Sequence, residues 1–214
     1  MVGSELRKVL VLMMGLAVVV PQIGGRPPAQ TRVAAAELTA LKSLGSKSAP
    51  ITIEVFSDFQ CPACKRNYEE TLRPVIENYV ATGKVYLVHH DFPLPVHPHS
   101  REAARWVNAA AQVGKFEKVE AALYAQQETW AANGKIEAVV AAVLTPAEMK
   151  KVRQLVERGQ LDAVIDRDVA LGQSRRVAST PSLFVIKGGD TVPLPPGGVT
   201  YALLKQYLDY LLRQ

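Results

Sequence analysis

The sequence predicts an α/β fold in which a parallel strand–helix–strand unit and a C-terminal strand pair are separated by an all-α insertion. Three observations predict it. First, β-branched residues alternate over Ile51-Thr52-Ile53-Glu54-Val55-Phe56, a helical stripe follows, and Val85-Tyr86-Leu87-Val88 resumes the strand pattern. Second, residues from Ser100 to about Val177 are dominated by Ala, Glu, Lys and Leu, with breaks at Gly114, Asn133-Gly134 and Gly159. Third, Ser182-Leu183-Phe184-Val185-Ile186 returns to strand, and Lys187-Gly188-Gly189-Asp190 turns the chain into Thr191-Val192. With 214 residues, 48% of them hydrophobic and 21% charged, the chain can bury a core, which excludes a disordered tail.

The chain begins with Arg7-Lys8 and an uncharged run from Val9 to Val20, ended by Pro21 and Gly24-Gly25. A basic start, a short apolar run and a breaker describe an export signal, and the run is shorter than the ~20 residues that span a bilayer. Residues 1–25 are therefore expected to be a signal peptide or an N-terminal anchor. The expected location is periplasmic or otherwise extracytoplasmic, with a membrane tether if the segment is retained. Of the net charge of +5, +3 falls within residues 1–32, so the remainder is a mixed surface and no nucleic-acid partner is expected. Residues 26–49, rich in Pro, Gly, Ser and Ala, read as a flexible tether with one candidate helix over 33–44.

The helix after the first strand is expected to start at Cys61-Pro62, because proline suits a first turn whose N–H has no partner. Tyr68, Leu72, Val75, Ile76 and Tyr79 form its buried stripe, Pro74 should kink it and Gly83 should end it. Thr145-Pro146-Ala147-Glu148 carries a capping box. Residues 201–212 place Leu203, Leu204, Tyr207, Leu208 and Leu211 on one face of a closing helix. Trp106 and Trp130, on alanine-rich helices, read as core or groove residues.

Cys61 and Cys64 are the only cysteines. A disulfide-stapled mini-fold is excluded, and a Cys-rich zinc site lacks its second Cys-x-x-Cys. At i and i+3 of a helix the two sulfurs share a face and can join. A ring so small adds little chain-entropy stabilisation, so the bridge makes sense as chemistry. Cys61, at the helix N-terminus, is expected to be the exposed, low-pKa thiol that forms mixed disulfides. Cys64, one turn in, is expected to be the buried resolving thiol. Glu54, on the strand leading to the pair, either points beneath it and moves protons or faces solvent.

The segment Phe56-Ser57-Asp58-Phe59-Gln60-Cys61-Pro62-Ala63-Cys64 resembles the active site of DsbA-like thiol–disulfide oxidoreductases of the thioredoxin superfamily. His90-Asp91-Phe92-Pro93-Leu94, then His97-Pro98, resembles the entry to that family's helical insertion, and Ser179-Thr180-Pro181-Ser182-Leu183-Phe184 its cis-proline segment. The likeness runs in order from about Ile51 to the C-terminus. Two departures stand out: Ala178-Ser179 replaces the usual glycine, and the dipeptide between the cysteines is Pro62-Ala63.

The resemblance implies a thioredoxin fold with an inserted α-helical domain, the first over 50–95 and 178–214 and the second over 96–177. It implies that Pro181 is cis and faces the cysteines, whereas the residues alone leave a trans proline at a strand start open. Thr180 would then offer backbone groups to an extended substrate. The implied activity is oxidation of reduced exported proteins without a cofactor or bound metal. Reoxidation would come from a membrane quinone-linked oxidoreductase of the DsbB or VKOR type. Two other readings stay open: an exported disulfide reductase or isomerase, and a copper or zinc carrier using Cys61, Cys64 and His97 or His99.

Overall fold

The structure is a computed structural model and describes residues 37–214. The signal peptide or anchor expected over 1–25 lies outside the described residues. Five strands form one sheet: β1 (Ser43–Leu44), β2 (Ile51–Ser57), β3 (Val85–Asp91), β4 (Ser182–Lys187) and β5 (Asp190–Pro193). Their order is β1-β3-β2-β4-β5. β2 and β3 are parallel, with Ile51 beside Val85 and Ser57 beside Asp91, and the other pairs are antiparallel.

The crossover helix α1 starts at Pro62–Asn67 and continues to Val80. Pro74 does not end it. In regular α-helix its ring would press on the carbonyl of Glu70. Two π turns, Tyr68–Leu72 and Ile76–Val80, flank the short α segment Arg73–Val75, and the Arg73 N–H bonds the Tyr68 carbonyl instead.

Alternation along β2 divides its side chains between two faces. Ile51, Ile53 and Val55 join Leu72, Val75 and Tyr79 of α1 and Leu204 and Leu208 of the closing helix α8 (Tyr201–Arg213) once the intervening helices are counted. Those are α2 (Ser100–Gln112), α3 (Phe116–Ala125), α4 (Gln127–Asn133), α5 (Ile136–Val143), α6 (Pro146–Glu157) and α7 (Asp162–Ser174). Phe56 on the opposite face packs with Phe92, Val177 and Phe184. Gly172 of α7 lets this cluster close, since a Cβ there would lie 2.5 Å from the Phe92 ring. The Thr145–Glu148 capping box forms as expected at the start of α6. The core of α2–α7, with Leu123, Tyr124, Trp130 and Val140, is continuous with Phe59, Cys61 and Cys64.

The tether expected over 26–49 is corrected over its described part. Residues 37–41 are helical, Leu38 is buried, and Ser43–Leu44 pairs with β3. The physical reason is Lys42, a fully buried lysine. It forms ion pairs with Asp91 at the end of β3 and, at 2.9 Å, with Asp168 of α7. Burial opposes its charge, but Asp168 and Asp91 outweigh that and hold its pKa above the ordinary lysine value. Asn108 donates to Asp91 at 2.6 Å, and the Asp91 N–H donates to Asp168 at 3.1 Å. His89 lies 3.2 Å from Glu120 of α3 and 3.5 Å from Asp91. The N-terminal segment, β3 and the insertion thus meet in one buried polar network. Among the described residues no helix is long and apolar enough to cross a membrane.

Two predictions follow from this network. Lys42→Met leaves Asp91 and Asp168 as buried acids without their cation, and should cost about 3–5 kcal/mol in urea unfolding at pH 7. Burial disfavours the His89 imidazolium, yet hydrogen bonds to Asp91 and Glu120 raise its pKa to about 9. A raised pKa gives stability that is complete below the unfolded value near 6.5 and is lost as pH rises through 9. Unfolding of the disulfide form, in which neither thiol titrates, should therefore show stability falling between pH 6.5 and 9, and His89→Gln should flatten that fall.

Candidate active site

Cys61 closes the loop after β2 and serves as the N-cap of α1, with φ −74° and ψ 121°. Pro62 occupies the first helical position, and the Cys61 carbonyl accepts from the Cys64 and Lys65 N–H groups at 3.0 and 3.1 Å. The local chemistry of proline thus sets the helix start where the sequence places it. Both cysteines are free thiols. Cys61 keeps 7% of its surface and Cys64 1%. The expectation of an exposed Cys61 is thereby narrowed: most of the residue is covered, although it remains the more accessible of the pair.

The sulfurs differ more in charge than in exposure. Cys61 is lowered to a pKa of about 5, first by the Cys64 thiol donating to it. Burial opposes this, and the Thr180 side chain and the Cys64 and Ala63 N–H groups add to the lowering. Cys64 is pushed well above its ordinary value, chiefly by burial and then by the negative Cys61 beside it. Interaction with Ser57 and the Asp58 N–H, 3.4 Å from the sulfur, works against that rise.

Across from the pair, the Thr180–Pro181 peptide bond is cis, and the Thr180 carbonyl lies 3.5 Å from the Cys61 sulfur. Cys61, Cys64, Thr180 and Pro181 are therefore brought together. Glu54 is not. It lies on the face of β2 opposite Val55, ion-paired with Arg175 and 3.7 Å from His90. Val55, with no proton to move, points to the α1 side. The reading of Glu54 as a group beneath the cysteines is corrected, because neighbouring positions on a strand face opposite ways.

Other residues hold the loop. Asp58 Oδ1 accepts from the Gln60 N–H at 2.8 Å and the Ser100 hydroxyl, and Oδ2 accepts from the Leu94 N–H at 2.9 Å and lies 2.7 Å from His97 Nδ1. The Gln60 side chain accepts from the His99 N–H at 2.7 Å and donates to the Ala131 carbonyl at 3.2 Å. Gln127 of α4 donates to the Phe59 and Cys61 carbonyls at 2.7 and 3.0 Å. His97 is thus engaged with the loop. Among the described residues no group of three or more His, Cys, Asp or Glu side chains is placed to hold a metal.

Asp58 and Gln60 are visible in the sequence only as part of the motif, and nothing marks Gln127. A glutamine in the pair Gln126-Gln127 carries no pattern that points to a carbonyl 66 positions away.

Known proteins share this fold. A thioredoxin family model matches residues 39–193, a span that includes Lys42 and β1. The probable disulfide bond formation protein D of Bacillus cereus is 25% identical over 154 residues, covering 67% of this chain and 69% of that protein. The crystal structure of BdbD from Bacillus subtilis superposes with a TM-score of 0.68 at 18% identity, covering 81% of this chain and 93% of that one. Wolbachia pipientis alpha-DsbA1 gives 0.66 at 17% identity, over 79% and 89% of the two chains. At such identities the two structures establish the shared fold. With the cysteine pair at the helix start, the cis-proline opposite it and the helical insertion packed on that pair, the chain belongs to the thioredoxin family as a DsbA-like thiol–disulfide oxidoreductase.

Proposed function

We propose that the chain runs its exchange chemistry as a dithiol oxidase that introduces disulfides into exported proteins. The observation that carries this reading is the placement of Cys61 at the start of α1, beside Cys64 and the Thr180 segment, which lowers its pKa to about 5. Stabilising the Cys61 thiolate stabilises the reduced enzyme, so its disulfide is the more readily given up.

A substrate thiolate attacks the Cys61 sulfur. The Cys61–Cys64 bond breaks, and Cys64 leaves as a thiolate that takes a proton from water. A second substrate thiolate then attacks the substrate sulfur of the mixed disulfide, and Cys61 leaves as a thiolate. The substrate loses two electrons and the enzyme pair gains them. Cys61 is a good leaving group in this last step because its charge is already stabilised.

Thr180, beside Pro181, is positioned to offer its backbone to an extended substrate next to Cys61. Beside α1 a cleft of about 190 Å³, lined by Ala63, Arg66, Asn67, Glu70 and Gly198 among others, offers room for the same chain. Reoxidation is assigned to a membrane quinone-linked oxidoreductase of the DsbB or VKOR type. An extracytoplasmic location is supported by the basic, apolar start of the sequence and by the oxidising chemistry that such a compartment favours.

Cys61→Ala and Cys64→Ala should each abolish catalytic oxidation of a reduced dithiol peptide, and full activity in either would overturn the mechanism. The thiolate absorbance of the reduced protein should titrate with a midpoint about pH 5 and disappear in Cys61→Ala. Because the folded pKa of Cys61 is depressed, its stabilisation of the reduced form is present above the ordinary thiol value and is lost as pH falls through 5. Equilibration with glutathione separates the directions. A potential near about −120 mV, as in DsbA, supports the oxidase, whereas one near about −270 mV, as in thioredoxin, marks a reductase.

A further inference from the structure

Cys64 must carry negative charge each time the exchange passes through it, as a leaving group in one direction and as a nucleophile in the other. Its surroundings resist that charge, since the residue is almost fully buried within the apolar core that joins α1 to the insertion. Among the described residues no carboxylate hydrogen-bonds its sulfur, and Glu54 lies on the other face of the sheet. The Asp58 N–H lies 3.4 Å from the sulfur, Ser57 is the residue directly before Asp58, and the Ser57 side chain works against the rise in the Cys64 pKa.

Ser57 is the last residue of β2 and shares the face of Val55. Its hydroxyl lies 2.8 Å from the hydroxyl of Tyr124, and both side chains are buried. Tyr124 comes from α3, 67 positions along the chain. Its ring is fixed by stacking on Tyr68 of α1 at 4.8 Å and by Phe59 at 5.4 Å. A phenol this deep is normally paired with a polar partner, and here that partner is Ser57. If Tyr124 donates to Ser57, the serine proton is free to point at the sulfur. Two hydroxyls in series polarise each other, which strengthens the last donor in the chain.

We propose that Tyr124 is a positioning residue of the exchange: acting through the Ser57 hydroxyl, it stabilises the charge that develops on Cys64. This rests on the thiol–disulfide chemistry of the site but holds for either net direction. In the step concerned, the Cys64 thiol gives its proton to water and its thiolate attacks Cys61 of a mixed disulfide. The Cys61–Cys64 bond forms, the bond from Cys61 to the outer sulfur breaks, and the outer group departs as a thiolate. The reverse step needs the same charge on Cys64.

The test is reaction of the reduced protein with the aromatic disulfide DTNB, followed by release of its coloured thiolate. The first release reports attack by Cys61 and the second reports attack by Cys64. Tyr124→Phe, which keeps the stacked ring, should slow the second release about tenfold and leave the first within about twofold, since a hydrogen bond to a charged group is lost at one remove. Ser57→Ala should slow the second release as well. The double variant should be no slower than Ser57→Ala, because the tyrosine acts only through the serine.

An unchanged second release in Tyr124→Phe would overturn the proposal. So would equal slowing of both releases, or effects of the two substitutions that simply multiply. Should Tyr124→Phe fail to fold, an unchanged second release in Ser57→Ala overturns it alone. Absence of any second release in the unaltered protein would instead count against the exchange chemistry itself.

Discussion

Two sulfurs one helical turn apart are held in unequal surroundings, and the rest of the structure depends on that inequality. Cys61 sits where α1 begins, beside the Ala63 and Cys64 N–H groups and the Thr180 segment, and its charge is welcome. Cys64 sits one turn deeper in apolar surroundings, and its charge is not. A symmetric pair would have no defined order of attack. In the proposed exchange, the contrast makes one sulfur the point of entry for other proteins and the other an internal partner.

Holding that contrast requires a rigid loop between β2 and α1. Asp58, Gln60 and Gln127 tie its side chains and carbonyls to the start of the insertion and to α4. The insertion therefore does more than cover the sheet. It supplies the walls that desolvate Cys64, the amide that fixes the Cys61 carbonyl, and the hydroxyl beside Ser57. Behind it, Lys42 brings Asp91 of β3 and Asp168 of α7 to one point, where two acids without a cation would be costly. That buried pairing orients the insertion against the strand whose end lies beside the active-site loop, as the Phe92 N–H bond to the Ser57 carbonyl at 2.8 Å shows.

Much of this architecture was legible in the sequence because it rests on local signals. Alternation marked β2 and β3, Pro62 marked the start of α1, and Thr145 with Glu148 marked the start of α6. Pro74 marked an irregular point inside a helix expected to run on towards Gly83, and π turns lie on both sides of it. The segment from residue 37 to β1 was legible as a candidate helix but not as core: the stretch around it is rich in Pro, Gly, Ser and Ala, and a lysine is a poor advertisement for burial. Glu54 failed for a sharper reason. It is one position from the residue that faces the α1 side, and in a strand one position is the difference between two faces of the sheet.

The sequence by itself determined how the candidate site residues are strung: Cys61 before Cys64 at a helix start, and Thr180-Pro181 before a strand far downstream. These are matters of covalent spacing and local backbone preference, which neighbouring residues set. Only the tertiary structure decided how charged each sulfur can be, which face Glu54 takes, and that Tyr124 meets Ser57, Gln127 meets the Cys61 carbonyl and Lys42 meets Asp168. Those outcomes depend on burial and on hydrogen bonds between residues dozens of positions apart. Solvation and charge pairing act through space, so they exist only once the chain has closed around them.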